Sequence, residues 1–154
     1  VLAFEVTSNV AAFAVVENTE KLVDWGGCSL GKDVSAFLVT VERLVSRYRP
    51  DVIVVEEPAG SRKGARARDR LAWIEQWAVD HDRRVRPVER EAYLHFLERE
   101  GRTKYEVATR LGRLFPDLGK DLPPPRKTWQ REPINLTYFV AVARALWYFD
   151  IRRW

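Results

Sequence analysis

Asp51-Val52-Ile53-Val54-Val55-Glu56 is the segment that most restricts how this chain can fold. Its four central residues are apolar, so as a strand they put an apolar side chain on both faces of a sheet. Such a strand belongs in the middle of a sheet covered on both sides. The run then leaves the interior through Glu56-Glu57-Pro58, which sets acids at its end.

The flanking segments supply the rest of that sheet and its cover. Leu2 to Thr7 alternates Leu2, Phe4 and Val6 with Ala3, Glu5 and Thr7, a strand period that carries an acid on its less bulky face. Ser8-Asn9 makes a turn, Val10 to Val16 reads as a second strand, and Lys21 to Cys28 as a third, giving an antiparallel meander. From Asp33, a candidate N-cap, the period lengthens: Val34, Phe37, Leu38, Val41, Leu44, Val45 and Tyr48 form one helical stripe that Pro50 ends. After the Gly60 to Gly64 loop, Ala65 to His81 reads as a helix, with Leu71, Ile74, Ala78, Trp73 and Trp77 giving apolar surface. Arg84 to Val88 is a short fifth strand. Glu89 to Glu98 and Lys104 to Phe115 are further helices, the second closing at Pro116. Asp117 to Glu132, with Pro123-Pro124-Pro125, has no period and reads as a connector. Pro133 opens a last helix that runs to about Asp150. This order predicts a single α/β domain over 1–154, a mixed five-stranded sheet with helices on both faces.

Charge is concentrated rather than spread. Between Ser61 and Arg70 the chain carries Arg62, Lys63, Arg66, Arg68 and Arg70 against Asp69, an excess equal to the +4 of all 154 residues. A basic segment on an otherwise balanced surface suits a polyanion, because released counterions drive the association; the plainer reading is a solubilising loop and the charged face of a helix. Cysteine and histidine limit other chemistry. A lone Cys28 with only His81 and His95 allows no disulfide framework and gives no zinc-ligand spacing, so Cys28 reads as a small buried hydrophobe and both histidines as surface residues. No apolar run approaches the length of a membrane span, and a soluble, cytoplasmic protein without a membrane partner is expected.

Strand order and acids together resemble the RNase H-like superfamily, and within it the RuvC-like Holliday junction resolvases. The resemblance covers nearly the whole chain. Leu2-Ala3-Phe4-Glu5-Val6-Thr7-Ser8 stands where that family has a first strand ending in an Asp, and Asp51 to Glu56 where an apolar central strand leads to a second acid. Lys104 opens a helix at the place of a family lysine that approaches DNA, and Ala141-Val142-Ala143-Arg144-Ala145-Leu146 is similar to the alanine-rich end of the family's last helix. The resemblance implies two divalent ions, Mg²⁺ or Mn²⁺, about 4 Å apart, with Glu5 and Glu56 as catalytic and metal-binding carboxylates.

The further acids that the family places on its last helix are missing. One register puts Val140 and Thr137 at those positions, and a register shifted by two residues puts Tyr138 and Asn135 there. The nearest acids, Glu132 and Asp150, lie on either side of the relevant turn. Glu5 also has one methylene more than the family's Asp, a displacement on the order of 1 Å, which can cost about a hundredfold in rate. Weak metal binding and little or no cleavage are expected.

The resemblance thus implies a protein that binds branched, Holliday junction-like DNA, with RNA as the other candidate polyanion. Arg62, Lys63, Arg66, Arg68 and Lys104 would contact phosphates without reading sequence, and the family pattern implies a homodimer. A second reading is an active Mg²⁺- or Mn²⁺-dependent structure-selective endonuclease using Glu5, Glu56 and Asn135. A third is a non-catalytic interaction subunit on the same scaffold. It would use a tryptophan-rich surface, for which Trp73, Trp77, Trp147 and Trp154 are candidates alongside their plainer role in the core.

Overall fold

The structure, a computed structural model, describes residues 1–31 and 34–151. Strands β1 (Leu2–Val6), β2 (Val10–Asn18) and β3 (Lys21–Ser29) form the antiparallel meander. Strands β4 (Ile53–Glu56) and β5 (Val85–Val88) extend the sheet in parallel from the other side of β1, giving the order β3-β2-β1-β4-β5. The apolar Ile53–Glu56 segment is therefore an interior strand, buried throughout. The edge strand β5 tolerates Pro87, whose missing N–H is harmless on an unpaired side.

Alternation in β1 sorts the two layers. Leu2, Phe4 and Val6 pack with α1 (Ser35–Tyr48) and α2 (Ala65–Asp80), while Ala3 faces the opposite core. That second layer contains α3 (Arg90–Glu100), α4 (Lys104–Leu114), α5 (Pro116–Gly119) and α6 (Leu136–Ile151). Ala3, Ala12 and Ala14 give it a shallow floor, and α6, apolar around nearly its whole circumference, lies across them with ten of its residues buried.

Several boundaries differ from the sequence expectation for physical reasons. Helix α1 ends as Arg49 turns left-handed, φ 44°, ahead of Pro50; the candidate N-cap Asp33 lies outside the described residues. Pro116 begins α5 rather than merely ending α4, because a proline at a first helical position sacrifices no hydrogen bond. Pro133 does not open the last helix: it sits in a preceding turn, where its carbonyl accepts from the Leu136 N–H. In α2 the two tryptophans part company. Trp77 is buried and stacks on His81 with centroids 4.4 Å apart, whereas Trp73 remains 39% exposed. Cys28 is only half-buried, on a strand whose outer residues are open to solvent. No described helix is long and apolar enough to cross a membrane.

Helices α4 and α5 meet through glycine. A Cβ at Gly119 would stand 2.6 Å from the carbonyl oxygen of Gly112, a backbone atom that cannot swing aside. Gly119→Ala is expected to lower unfolding free energy by about 1–3 kcal/mol, the usual cost of overpacking. Urea denaturation measures it, and an unchanged midpoint would show that the two helices can separate freely.

Candidate functional site

Glu5 and Glu56 come together because β1 and β4 are parallel neighbours. Ala3 pairs with Val54, so two residues further along both acids stand side by side on the face that looks toward α6. Both are buried, at 7% and 8% exposure. Two carboxylates so placed repel unless positive charge enters the same volume. It comes from two directions.

Arg144 projects from α6 and is only 1% exposed. Its Nη1 donates to the Phe4 carbonyl at 2.7 Å and lies 2.6 Å from Glu5 Oε2, a close ion pair rather than an aligned hydrogen bond; Nη2 donates to Glu56 Oε2 at 3.3 Å. The guanidinium also lies over the Tyr93 ring, 4.8 Å from its centre, and the Tyr93 hydroxyl donates to the Val140 carbonyl of α6 at 3.0 Å. Lys63 reaches in from the basic loop. Its Nζ donates to Glu5 Oε1 at 2.5 Å and to the Val6 carbonyl at 2.6 Å, and stands 3.4 Å from Glu56 Oε2. Ser61 Oγ donates to Glu56 Oε1 at 2.5 Å. Two anions and two cations thus neutralise one another within hydrogen-bonding distance.

The titration of the group follows. Burial alone would raise the Glu5 carboxyl, but the charges of Arg144 and Lys63 outweigh it and hold the group below the ordinary glutamate range. Burial works against the Arg144 charge in the same way, and Glu5, Tyr93 and Glu56 reverse the balance, so it stays protonated.

The acids open onto a cavity of about 280 Å³, whose lining includes Arg62, Lys63, Arg90, Lys104 and Arg144 as well as an apolar wall with Val140 and Leu97. Of the residues singled out from sequence, Glu5, Glu56, Arg62, Lys63 and Lys104 therefore share one cleft, with Arg62 exposed at its rim. Lys104 is exposed and paired with Glu132 at 3.1 Å. Arg68 is exposed on α2. Arg66 turns away and donates to the Gly31 carbonyl, as does the buried Arg70, so these two bind the β3–α1 connection to α2. Glu57 is half-buried beyond the end of β4, outside the cleft lining.

Around α6, Val140 lines the cleft one turn before Arg144, while Thr137 is buried and donates to the Ile134 carbonyl. Tyr138 instead faces β3, where a Cβ on Gly27 would meet its ring at 2.8 Å, and Asn135 lies exposed ahead of the helix. Asp150 pairs with Arg99 at 2.5 Å. Sequence reasoning missed Arg144, Arg90, Tyr93 and Ser61 as members of the site. The signal for Arg144 was present, since it is the only charged residue between Leu136 and Phe149, and a lone charge in an apolar helix needs a partner.

The fold has counterparts among known structures. Seven solved chains match it, among them T. thermophilus RuvC in complex with a Holliday junction substrate. That match has a TM-score of 0.67 and 18% sequence identity, and covers 99% of this chain and 96% of the other. The fold is that of RuvC. It belongs to the RNase H-like class, with three antiparallel strands followed by two parallel ones. No family model and no curated protein matches the sequence. The RuvC-like fold brings with it the expectation of divalent ions between the strand acids, and the donor set does not fit them. Among the described residues no three of His, Cys, Asp and Glu converge, and the inner oxygens of Glu5 and Glu56 face Arg144 and Lys63. A dication would have to displace two resident cations.

Glu5→Gln should expose the value of this network. Removing the Glu5 charge leaves Arg144 and Lys63 to share Glu56 alone, and breaking a buried ion pair from one side costs about 3–5 kcal/mol. Because folded Glu5 titrates below its unfolded value, about 4.3, the stabilisation is complete above that pH and fades as the pH falls through the folded value. Urea unfolding of wild type and variant should therefore differ at pH 7 and converge in acid; equal stabilities at pH 7 would rule out a structural role for the pair.

Proposed function

We propose that this protein binds branched DNA through the basic rim of its RuvC-like cleft and does not cut it. The observation that supports this most is the self-neutralised cluster of Glu5, Glu56, Arg144 and Lys63 at the base of that cleft. A two-metal phosphodiesterase needs surplus carboxylate charge to gather two dications beside a phosphate. Here each strand acid already has a cationic partner, and no metal-dependent step is assigned to the protein.

Binding needs a different set of groups. Arg62 and Lys104 in the cleft lining, and Arg68 on α2, the helix that follows the basic loop, are exposed cations. Point charges of this kind grip phosphates and fix the register of a duplex without reading its sequence. The RuvC neighbour is bound to a Holliday junction, and a four-way junction, which offers several phosphate backbones converging on one point, is the natural first ligand.

In gel shifts at moderate salt the protein should prefer a four-way junction to linear duplex of the same length. Arg62→Ala with Arg68→Ala should weaken both complexes and reduce the salt slope by about two, one for each phosphate contact. Absence of any junction preference would remove the branched-DNA assignment. Incubation of labelled junctions with Mn²⁺ should leave them intact. Cleavage that disappears in Glu5→Gln would make the protein a nuclease after all.

A further inference from the structure

The connector between α5 and α6 carries a feature that the cleft does not use. Trp129 is 76% exposed, the most open of the large apolar side chains among the described residues. It is held out by an ordered turn rather than left on a loose strand. The Gln130 N–H donates to the Lys127 carbonyl at 3.0 Å, closing a β-turn with Thr128 and Trp129 at its centre. Gln130 locks that turn again, as its Oε1 accepts from the Lys127 N–H at 2.9 Å and its carbonyl from Arg126 Nη1 at 2.6 Å.

The charge around the ring is of one sign. Arg126, Lys127 and Arg131 flank Trp129 without an acid before Glu132, and Lys127 Nζ stands 5.2 Å from the ring centre. Glu132 is engaged by Lys104, a residue of the cleft lining, and Arg131 and Glu132 line a second groove together with Thr7 and Asn9, of the turn that follows β1. The turn is thus tied, three residues beyond Trp129, to the lining of the cleft that holds the acids. An exposed indole among cations, beside a groove suited to phosphate, has the composition of a surface that stacks bases while tracking a backbone.

We propose that Trp129 is a stacking platform for an unpaired nucleobase, with Arg126, Lys127 and Arg131 holding the adjoining phosphates. This rests on the reading of the protein as a nucleic-acid binder and adds where a base leaves the duplex. Single strands offer unpaired bases, and at the exchange point of a junction the interrupted stack makes a base pair easier to open than within an intact linear duplex.

The test compares wild type, Trp129→Ala and Trp129→Phe against three probes, namely a four-way junction, a (dT)12 oligonucleotide and a linear duplex. Trp129→Ala should weaken junction and (dT)12 binding by about tenfold or more, leave duplex binding unchanged and keep the melting temperature of the wild type. Trp129→Phe, which keeps a ring, should recover most of the affinity. Titration with (dT)12 should quench wild-type tryptophan fluorescence more than that of Trp129→Phe. If wild type prefers junctions and Trp129→Ala binds them equally well, the stacking role is wrong and the junction reading stands. If (dT)12 binding depends on Trp129 without any junction preference, the stacking role stands and the junction reading falls. Failure of wild type to bind any of the probes would overturn both.

Discussion

Two carboxylates on adjacent strands cannot both be buried and charged unless compensating cations share their volume. In this chain that constraint ties together elements far apart in sequence. Glu5 fixes the end of β1 and Glu56 the end of β4, Arg144 joins both from α6, and Lys63 closes the cluster from the basic loop. Tyr93 supports the guanidinium from α3. Four elements and a loop are therefore held in register by a handful of charged atoms at the carboxyl ends of the central strands.

A guanidinium and a pair of dications answer the same electrostatic demand in different ways. Either can hold two strand carboxylates together. Only the metals could also take up water and a phosphate oxygen, since a planar guanidinium offers donors in a fixed fork and no open coordination position. The proposed absence of cutting is thus compatible with the fold, because the guanidinium supplies charge that holds the strand acids together. It also explains how the rim can remain basic: the acids at the base of the cleft are spent on internal partners and do not repel an approaching phosphate.

The architecture was legible in the sequence because it rests on period. Alternation in Leu2 to Thr7, the apolar run at Val52 to Val55 and the helical stripe from Phe37 to Val45 each report a face that must be covered, and the structure covers them. The meeting of Glu5 with Glu56 followed from the same pattern once β1 and β4 were neighbours. What period cannot report is a partner supplied from another element. Arg144 lay in plain view within an apolar helix, yet only the packing of α6 over Ala3 and Ala12 brings it to the acids. Arg66 and Arg70 show the converse. Their charge suggested an outward surface, but spacing along α2 directs them to the Gly31 carbonyl. Trp129 escaped notice because a turn in an aperiodic connector gives no sign of which side chain it presents.

The hydrogen bond from Arg144 to the Phe4 carbonyl spans 140 residues of chain. The strand that carries Glu5 therefore meets this cation only after about 140 further residues have been synthesised, since chains emerge amino terminus first. Until then Lys63, from the basic loop, is the one cation of the cluster that the two acids can meet. Long-range pairing of this kind slows folding, because the loop entropy must be met before the contact is made. The charge balance of the buried acids is thus completed from a distance: β1 and β4 bring the carboxylates together, and α6 closes the cluster over them.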